Sequence, residues 1–231
     1  MTRKLVMGEK PLFWIGSSLK DITRFPSEVQ RSVGFALSAA QYGGKHPSAK
    51  PWKGEGPGIL EIIKDHDGDT YGALCTVRFA NAVYALHAFQ KKSPHGIATR
   101  KSTLLWSKSV SSWRRWITRR DMAKRIPEQV IRSSGNVFAD MGLPDAAELD
   151  TKARLGAALK LIVKRKRLTQ AEIATALSIN QPKVSALLNY KLEGFSVERL
   201  MHFLVALGQD VEIVVKAKPT SRSARIAVNA A

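Results

Sequence analysis

Apolar residues follow two different rhythms along this chain. Between Pro26 and Gly43 the positions Val29, Val33, Ala36, Leu37 and Ala40 recur at helical intervals. They predict one buried stripe of a helix that Pro26 opens and Gly43-Gly44 stops. From Ile59 the rhythm shortens to that of strands. Ile59–Ile63, Thr70–Val77 and Ala82–Phe89 read as three strands, turning at Asp65-His66-Asp67-Gly68 and again at Ala80-Asn81. The Asp-Gly pair is a strong hairpin signal, because both residues tolerate positive φ. Ahead of them Leu12–Ile15 is a short strand, and Ser17 or Ser18 caps a brief helix. The expected unit over residues 11–92 is α+β: two helices, then an antiparallel meander, with the helices on one face of a small sheet.

The helical rhythm returns at Leu168–Leu188 and is more specific there. Thr169 caps a first helix and Glu172, three residues on, completes a capping box. Ile173, Ala174 and Leu177 share its buried face. Ser178-Ile179-Asn180 makes a corner, and Pro182 suits the first turn of the next helix, where its missing N–H would be unpaired anyway. Val184, Leu187 and Leu188 point inward, leaving Gln181, Lys183, Ser185 and Asn189 outward. Two short helices at a tight corner, the second polar and basic outside, form a helix-turn-helix built to enter a DNA major groove. An ordinary helical hairpin is the plainer alternative, and it leaves the exposed Gln, Lys, Ser and Asn without a purpose.

Residues Arg132 to Val215 resemble HigA-type antitoxins of the XRE helix-turn-helix family. The resemblance is carried by Ser134-Gly-Asn-Val-Phe-Ala-Asp-Met-Gly-Leu-Pro-Asp145, Gln181-Pro-Lys-Val-Ser-Ala-Leu-Leu188, Gly194-Phe-Ser-Val-Glu-Arg-Leu200 and Ala206-Leu-Gly-Gln-Asp-Val-Glu-Ile-Val-Val215. It implies a protein that binds its own promoter as a dimer and neutralises a partner toxin. Gln170 would then touch a phosphate, while Gln181, Lys183, Ser185 and Asn189 face base edges or backbone. Gln and Asn can pair bidentately with adenine, and Lys183 suits guanine or phosphate. Leu200, Phe203, Leu204 and Leu207, with Asp210 to Val215, are the expected core and dimer elements.

Composition supports a nucleic-acid partner. The net charge is +18 over 231 residues, suited to phosphate contact. Of this, +8 lies within residues 99–125, where nine basic residues meet one acidic residue, Asp121. A single cysteine, Cys75, excludes an intramolecular disulfide and any cysteine-rich metal site, so a reducing cytoplasm is the expected compartment. No apolar run of about 18 residues exists, and the start lacks the pattern of a secretory leader, so neither membrane nor secretion is expected.

The N-terminal unit is similar to HigB-like toxins of the RelE superfamily, in their phage-derived subgroup. The match rests on Lys10-Pro-Leu-Phe-Trp14, Gly43-Gly-Lys-His-Pro47, Ala49-Lys-Pro-Trp-Lys-Gly54, Leu60-Glu-Ile-Ile63, His66-Asp-Gly-Asp-Thr-Tyr71 and His87-Ala-Phe-Gln-Lys-Lys-Ser93. It implies a metal-independent endoribonuclease, without cofactor, that cuts messenger RNA on the ribosome. Such chemistry moves a 2′-hydroxyl onto the neighbouring phosphate, so positive groups must offset the charge that develops. Lys91 and Lys92 occupy the family's basic active-site region, with Lys53, Arg78 and His87 as further candidates. A solvated strand end is the plain reading of the two lysines, and a hydrogen-bonded structural histidine that of His87. Cys75 reads as a buried thiol.

Two departures bear on catalysis. Gly72 stands where the family carries an arginine that clamps the scissile phosphate, and losing such a contact costs roughly 10²-fold or more in rate. After Thr99 the family's charged C-terminal helix is replaced by a run rich in Ser, Trp and Arg. That run suits a frameshift join between a toxin gene and the antitoxin gene downstream, with Met122 as the old start. A basic helix lying on a membrane or on RNA is the alternative.

The expected organisation is a toxin domain over 1–98, a basic linker over 99–131, a mainly α helix-turn-helix domain over 132–216 and a disordered tail over 217–231. The expected function is repression through operator DNA, with a degenerate nuclease at the N-terminus. An active ribosome-dependent nuclease restrained by its own antitoxin is the alternative, and a toxin-like domain that docks without cutting is a third. Expected partners are double-stranded operator DNA, the ribosome and messenger RNA, a second copy of the chain, and a separate cognate toxin or antitoxin.

Overall fold

The computed structural model describes residues 9–52, 58–77, 81–91 and 130–217, together with 220, 226 and 228. Strand β1 (Leu12–Ile15) and helix α1 (Ser18–Ile22) lead into α2 (Ser27–Gln41). Strands β2 (Ala49–Pro51), β3 (Ile59–His66), β4 (Asp69–Thr76) and β5 (Val83–Lys91) follow. After the join come β6 (Val130–Arg132) and helices α3 (Val137–Asp140), α4 (Ala146–Lys166), α5 (Gln170–Ala176), α6 (Gln181–Leu188) and α7 (Val197–Ala206).

The expected meander is present but is only the middle of a larger sheet, whose order is β2-β3-β4-β5-β1-β6. The β3–β4 turn is tighter than the sequence suggested. His66 and Asp69 pair directly, leaving Asp67 (φ 48°) and Gly68 (φ 80°) as a two-residue turn, the geometry that matches strand twist. Strand β3 therefore runs three residues beyond the expected Ile63, while β4 starts and ends one residue earlier than the expected Thr70–Val77. A bulge at Leu74/Cys75 shifts the β4–β5 register. Strand β1 returns beside β5 in parallel, and β6 closes the far edge antiparallel to β1, with Trp14 opposite Ile131.

Helix α2 explains why the two halves of the chain pack together. Its apolar stripe, Val29, Val33, Ala36, Leu37 and Ala40, is buried as expected, but so are Gln30, Ser32, Ser38 and Gln41. A helix buried all round has partners on both sides. The sheet covers one side, and α3 and α4 cover the other. At Gly34 a Cβ would come within 2.4 Å of Phe138, so only glycine lets α3 approach this closely. The Phe138 ring meets Phe35 edge-on, 5.1 Å between centroids, and each is wholly buried, the kind of burial that contributes about 1.5–3 kcal/mol per side chain. One continuous apolar cluster runs from Leu12 in the sheet to Leu207 at the end of α7.

Polar contacts fasten the same junction. Trp14 Nε1 donates to Asp140 Oδ2 at 2.9 Å, and Arg31 Nε to Asp145 Oδ2 at 3.1 Å. Arg154, on α4, is almost fully buried. Its guanidinium holds both carboxylate oxygens of Glu9 at 2.9 and 3.2 Å, Asp150 at 2.8 Å and the Gly135 carbonyl at 3.0 Å. The Asn136 side chain caps α3 by accepting from the Phe138 and Ala139 N–H groups, and its amide donates to the Ala146 carbonyl at the head of α4.

Candidate nucleic-acid interface

The helix-turn-helix forms as its capping residues dictate. Thr169 accepts from the Glu172 N–H while Glu172 reaches back to the Thr169 N–H at 2.7 Å. These hydrogen bonds to its charged form hold the Glu172 carboxyl below its ordinary range. At the corner Ser178 adopts the left-handed region, φ 50°, and Asn180 then caps α6 by accepting from the Lys183 N–H at 3.0 Å. Asn180 was read from sequence only as part of the corner, although an Asn one residue before the helix is itself a start signal.

At four positions helix α6 is divided as expected, and Leu188 is half-buried. Val184 and Leu187 are buried, whereas Gln181 and Lys183 are exposed. Ser185 and Asn189 are half-buried and hydrogen-bonded to each other, Asn189 Nδ2 to Ser185 Oγ at 3.4 Å. Gln170, at the first position of α5, is exposed. Leu200, Phe203, Leu204 and Leu207 line the core beneath. Asp210 to Val215 do not: the segment belongs to neither helix nor strand and lies outside the core, with Ile213 75% and Val215 92% exposed. Among the described residues its apolar side chains cover no face, which corrects the expectation of a core element.

The toxin-like site is only partly described. Lys53, Arg78 and Lys92 lie outside the described residues, and Lys91 is placed by its backbone alone, at the end of β5. His87 is half-buried on β5, its Nδ1 3.9 Å from Asp21 Oδ2. Burial lowers its pKa, and the Asp21 charge opposes that shift. Gly72 sits opposite Phe89, and a Cβ at Gly72 would meet the Phe89 ring at 2.5 Å. The space next to Gly72 is therefore filled by a ring and not by a cation. Cys75 is buried, and that burial pushes its thiol up to about 12, so it carries no thiolate at neutral pH. Among the described residues no three His, Cys, Asp or Glu side chains gather as a metal site, and no helix is long and apolar enough to cross a membrane.

Residues 20–104 match the family described as phage-derived protein Gp49-like, and residues 137–216 match a helix-turn-helix domain family. The two matched segments do not overlap and follow one another along the chain. A solved structure whose title names an XRE family transcriptional regulator is 65% identical over 38% of this chain and all of its own, with a TM-score of 0.37. No curated protein matches. The Gp49-like match thus precedes the helix-turn-helix match, in the order that the sequence implied. The antitoxin-like signature around Ser134–Asp145 serves the junction: Phe138, Asp140 and Asp145 all contact the Gp49-like domain. Sequence reading had marked these residues as a family signature without assigning them a contact.

Proposed function

We propose that this chain represses transcription by binding operator DNA as a homodimer in the cytoplasm, its Gp49-like domain being a disabled ribonuclease held against the DNA-binding domain. The observation that carries the reading is the exposed head of α6, where Gln181 and Lys183 project from a helix whose other face is locked into the core. Gln181 would read a base edge and Lys183 a guanine or phosphate, with Gln170, Ser185 and Asn189 fixing register. One such helix reads a half-site, so two copies are required. The exposed, β-branched run Val211-Glu212-Ile213-Val214-Val215 supplies a surface for the second copy.

Loss of ribonuclease activity is supported at Gly72. Attack of a 2′-hydroxyl on its phosphate needs a cation at the developing charge, and this position offers a glycine packed under Phe89. A join by frameshift across residues 99–131 is part of the same reading. A second reading keeps the nuclease alive and restrained. It is favoured by the buried fastening of Arg154 to Glu9 and of Phe138 to Phe35, a junction suited to holding a toxin in check. Messenger RNA on the ribosome, and a separate cognate toxin or antitoxin, would then be partners as well.

Both readings are tested with the full chain. Its binding to DNA from upstream of its own gene is measured by mobility shift, and cleavage of a translated messenger RNA by primer extension. Specific retention without cuts supports the disabled regulator. Discrete cuts support the restrained nuclease. No preference for upstream DNA over unrelated DNA would overturn operator repression.

A further inference from the structure

The recognition helix does not run out into solvent at its far end. Tyr190, two residues past α6, is buried and faces the loop between α2 and β2. A Cβ at Gly44 in that loop would stand 3.0 Å from Tyr190 Cε2 and 3.3 Å from Lys160 Nζ. The Lys160 ammonium lies 5.1 Å from the Tyr190 ring centroid. Next to this contact Lys45 and Lys191 are exposed, and the Lys191 charge is felt by the buried ring of His46. Cations on three elements thus border the place where the two domains touch: Lys45, next to Gly44 on the Gp49-like loop, Lys160 on α4, and Lys191 after α6.

Among the described residues none of the three pairs with a carboxylate, although the other buried or half-buried cations of the junction, Arg31 and Arg154, do. Glu193, exposed two residues beyond Lys191, forms no ion pair there either. Lys160 is also partly desolvated, which lowers its pKa. Gathering like charges in this way is unfavourable in the isolated chain and becomes favourable against a polyanion. The place fits one. Helix α6 has eight residues and is about 12 Å long, close to the width of the major groove, about 12 Å. A helix that reads bases from its head across that groove delivers its other end to the flanking phosphates.

We propose that Lys45, Lys160 and Lys191 form a phosphate-binding extension of the DNA interface, so that the Gp49-like domain itself holds operator DNA. The extension rests on the reading of α6 as the DNA-reading helix. It gives the Gp49-like domain a role that survives loss of its nuclease chemistry.

The test is the salt dependence of binding to a fluorescein-labelled mixed-sequence DNA duplex, using the full chain, K45Q, K191Q, and K20Q as a control of equal charge on exposed α1. Each lost phosphate contact lowers the slope of log K against log salt by about 0.9. K45Q and K191Q are expected to show that fall and to bind several-fold more weakly at moderate salt, whereas K20Q keeps the slope of the unaltered chain. Slopes for K45Q and K191Q equal to that of K20Q would overturn the extension. A fall seen with duplex RNA and not with DNA would overturn it too. The Q181A/K183A variant separates the two layers of the reading. If it loses sequence preference while K45Q keeps its slope, α6 reads DNA and the extension fails. If the unaltered chain binds no DNA at all, the reading of α6 fails and the extension with it.

Discussion

The ring of Phe89 occupies the place that a side chain at Gly72 would need, 2.5 Å from the position of the missing Cβ. The two residues face each other across β4 and β5, so the glycine and the aromatic ring are one packing solution.

It follows that Gly72→Arg cannot simply restore a phosphate clamp. The substitution alone should lower stability by about 1–3 kcal/mol, as overpacking does, and leave messenger-RNA cleavage absent. The double variant Gly72→Arg/Phe89→Ala opens the space for the arginine. Thermal melting and primer extension on both variants check this; a fully stable single variant would show that Phe89 moves aside freely.

Arg154→Ala should be among the most damaging single changes. It leaves the buried Glu9 carboxylate without its bidentate partner, and breaking a buried pair from one side costs about 3–5 kcal/mol. Replacing both residues by methionine should cost less, since the more deeply buried carboxylate goes with its partner and only the Asp150 and Gly135 contacts to Arg154 are lost. Urea denaturation of the single and double variants measures the difference.

Gly34→Ala tests the junction without touching charge. A Cβ 2.4 Å from Phe138 must push α3 away from α2. The expected result is faster protease cleavage at the junction around residues 133–136. Sequence-specific DNA binding by the exposed head of α6 should persist. Unchanged cleavage would mean that α3 accommodates the methyl group.

Acid should loosen the chain through His46. Burial, aided by the Lys191 charge, lowers its pKa from 6.5 to about 4, and its Nδ1 engages Ser48 at 2.6 Å. A depressed histidine stays neutral in the folded chain while the unfolded chain takes up the proton. The resulting stability is whole above pH 6.5 and falls as pH drops toward 4, by roughly 3 kcal/mol in all. Melting temperature against pH should therefore flatten in His46→Gln across that window. An identical slope in the variant would place the acid sensitivity elsewhere.

Ile213→Lys with Val215→Lys should weaken self-association. Both side chains are exposed in a segment that belongs to neither helix nor strand, and lysine is a natural block to strand pairing. Sedimentation of the variant as a monomer, with loss of cooperative operator binding, is the expected result. An unchanged mass would move the dimer contact to another surface.

What could be read from sequence is what depends on neighbours in sequence. Thr169 with Glu172, the Ser178–Asn180 corner and Asp67-Gly68 each fix local geometry through contacts a few residues apart, and the elements they bound appear where expected. The stripe on α2 was legible for the same reason, but the second burial of that helix was not, because Phe138 and Met141 arrive from more than 100 residues away. Strand β6 is three residues long and takes its identity from β1 alone, so no periodicity could announce it. The Arg154–Glu9 pair spans 145 residues. Of the catalytic candidates only His87 has a described side chain, so the sequence reading of that site rests on family likeness and on Gly72.

Strand β6 pairs with the Gp49-like sheet and helix α3 packs on its helix α2 from within the same polypeptide. Two separate proteins that met through this junction would part on dilution, and their effect would depend on the relative amounts made and degraded. Here each act of translation delivers one of each, and docking is a first-order event that concentration does not touch. Stoichiometry, which two separate genes would have to regulate, is in this chain a property of covalent structure.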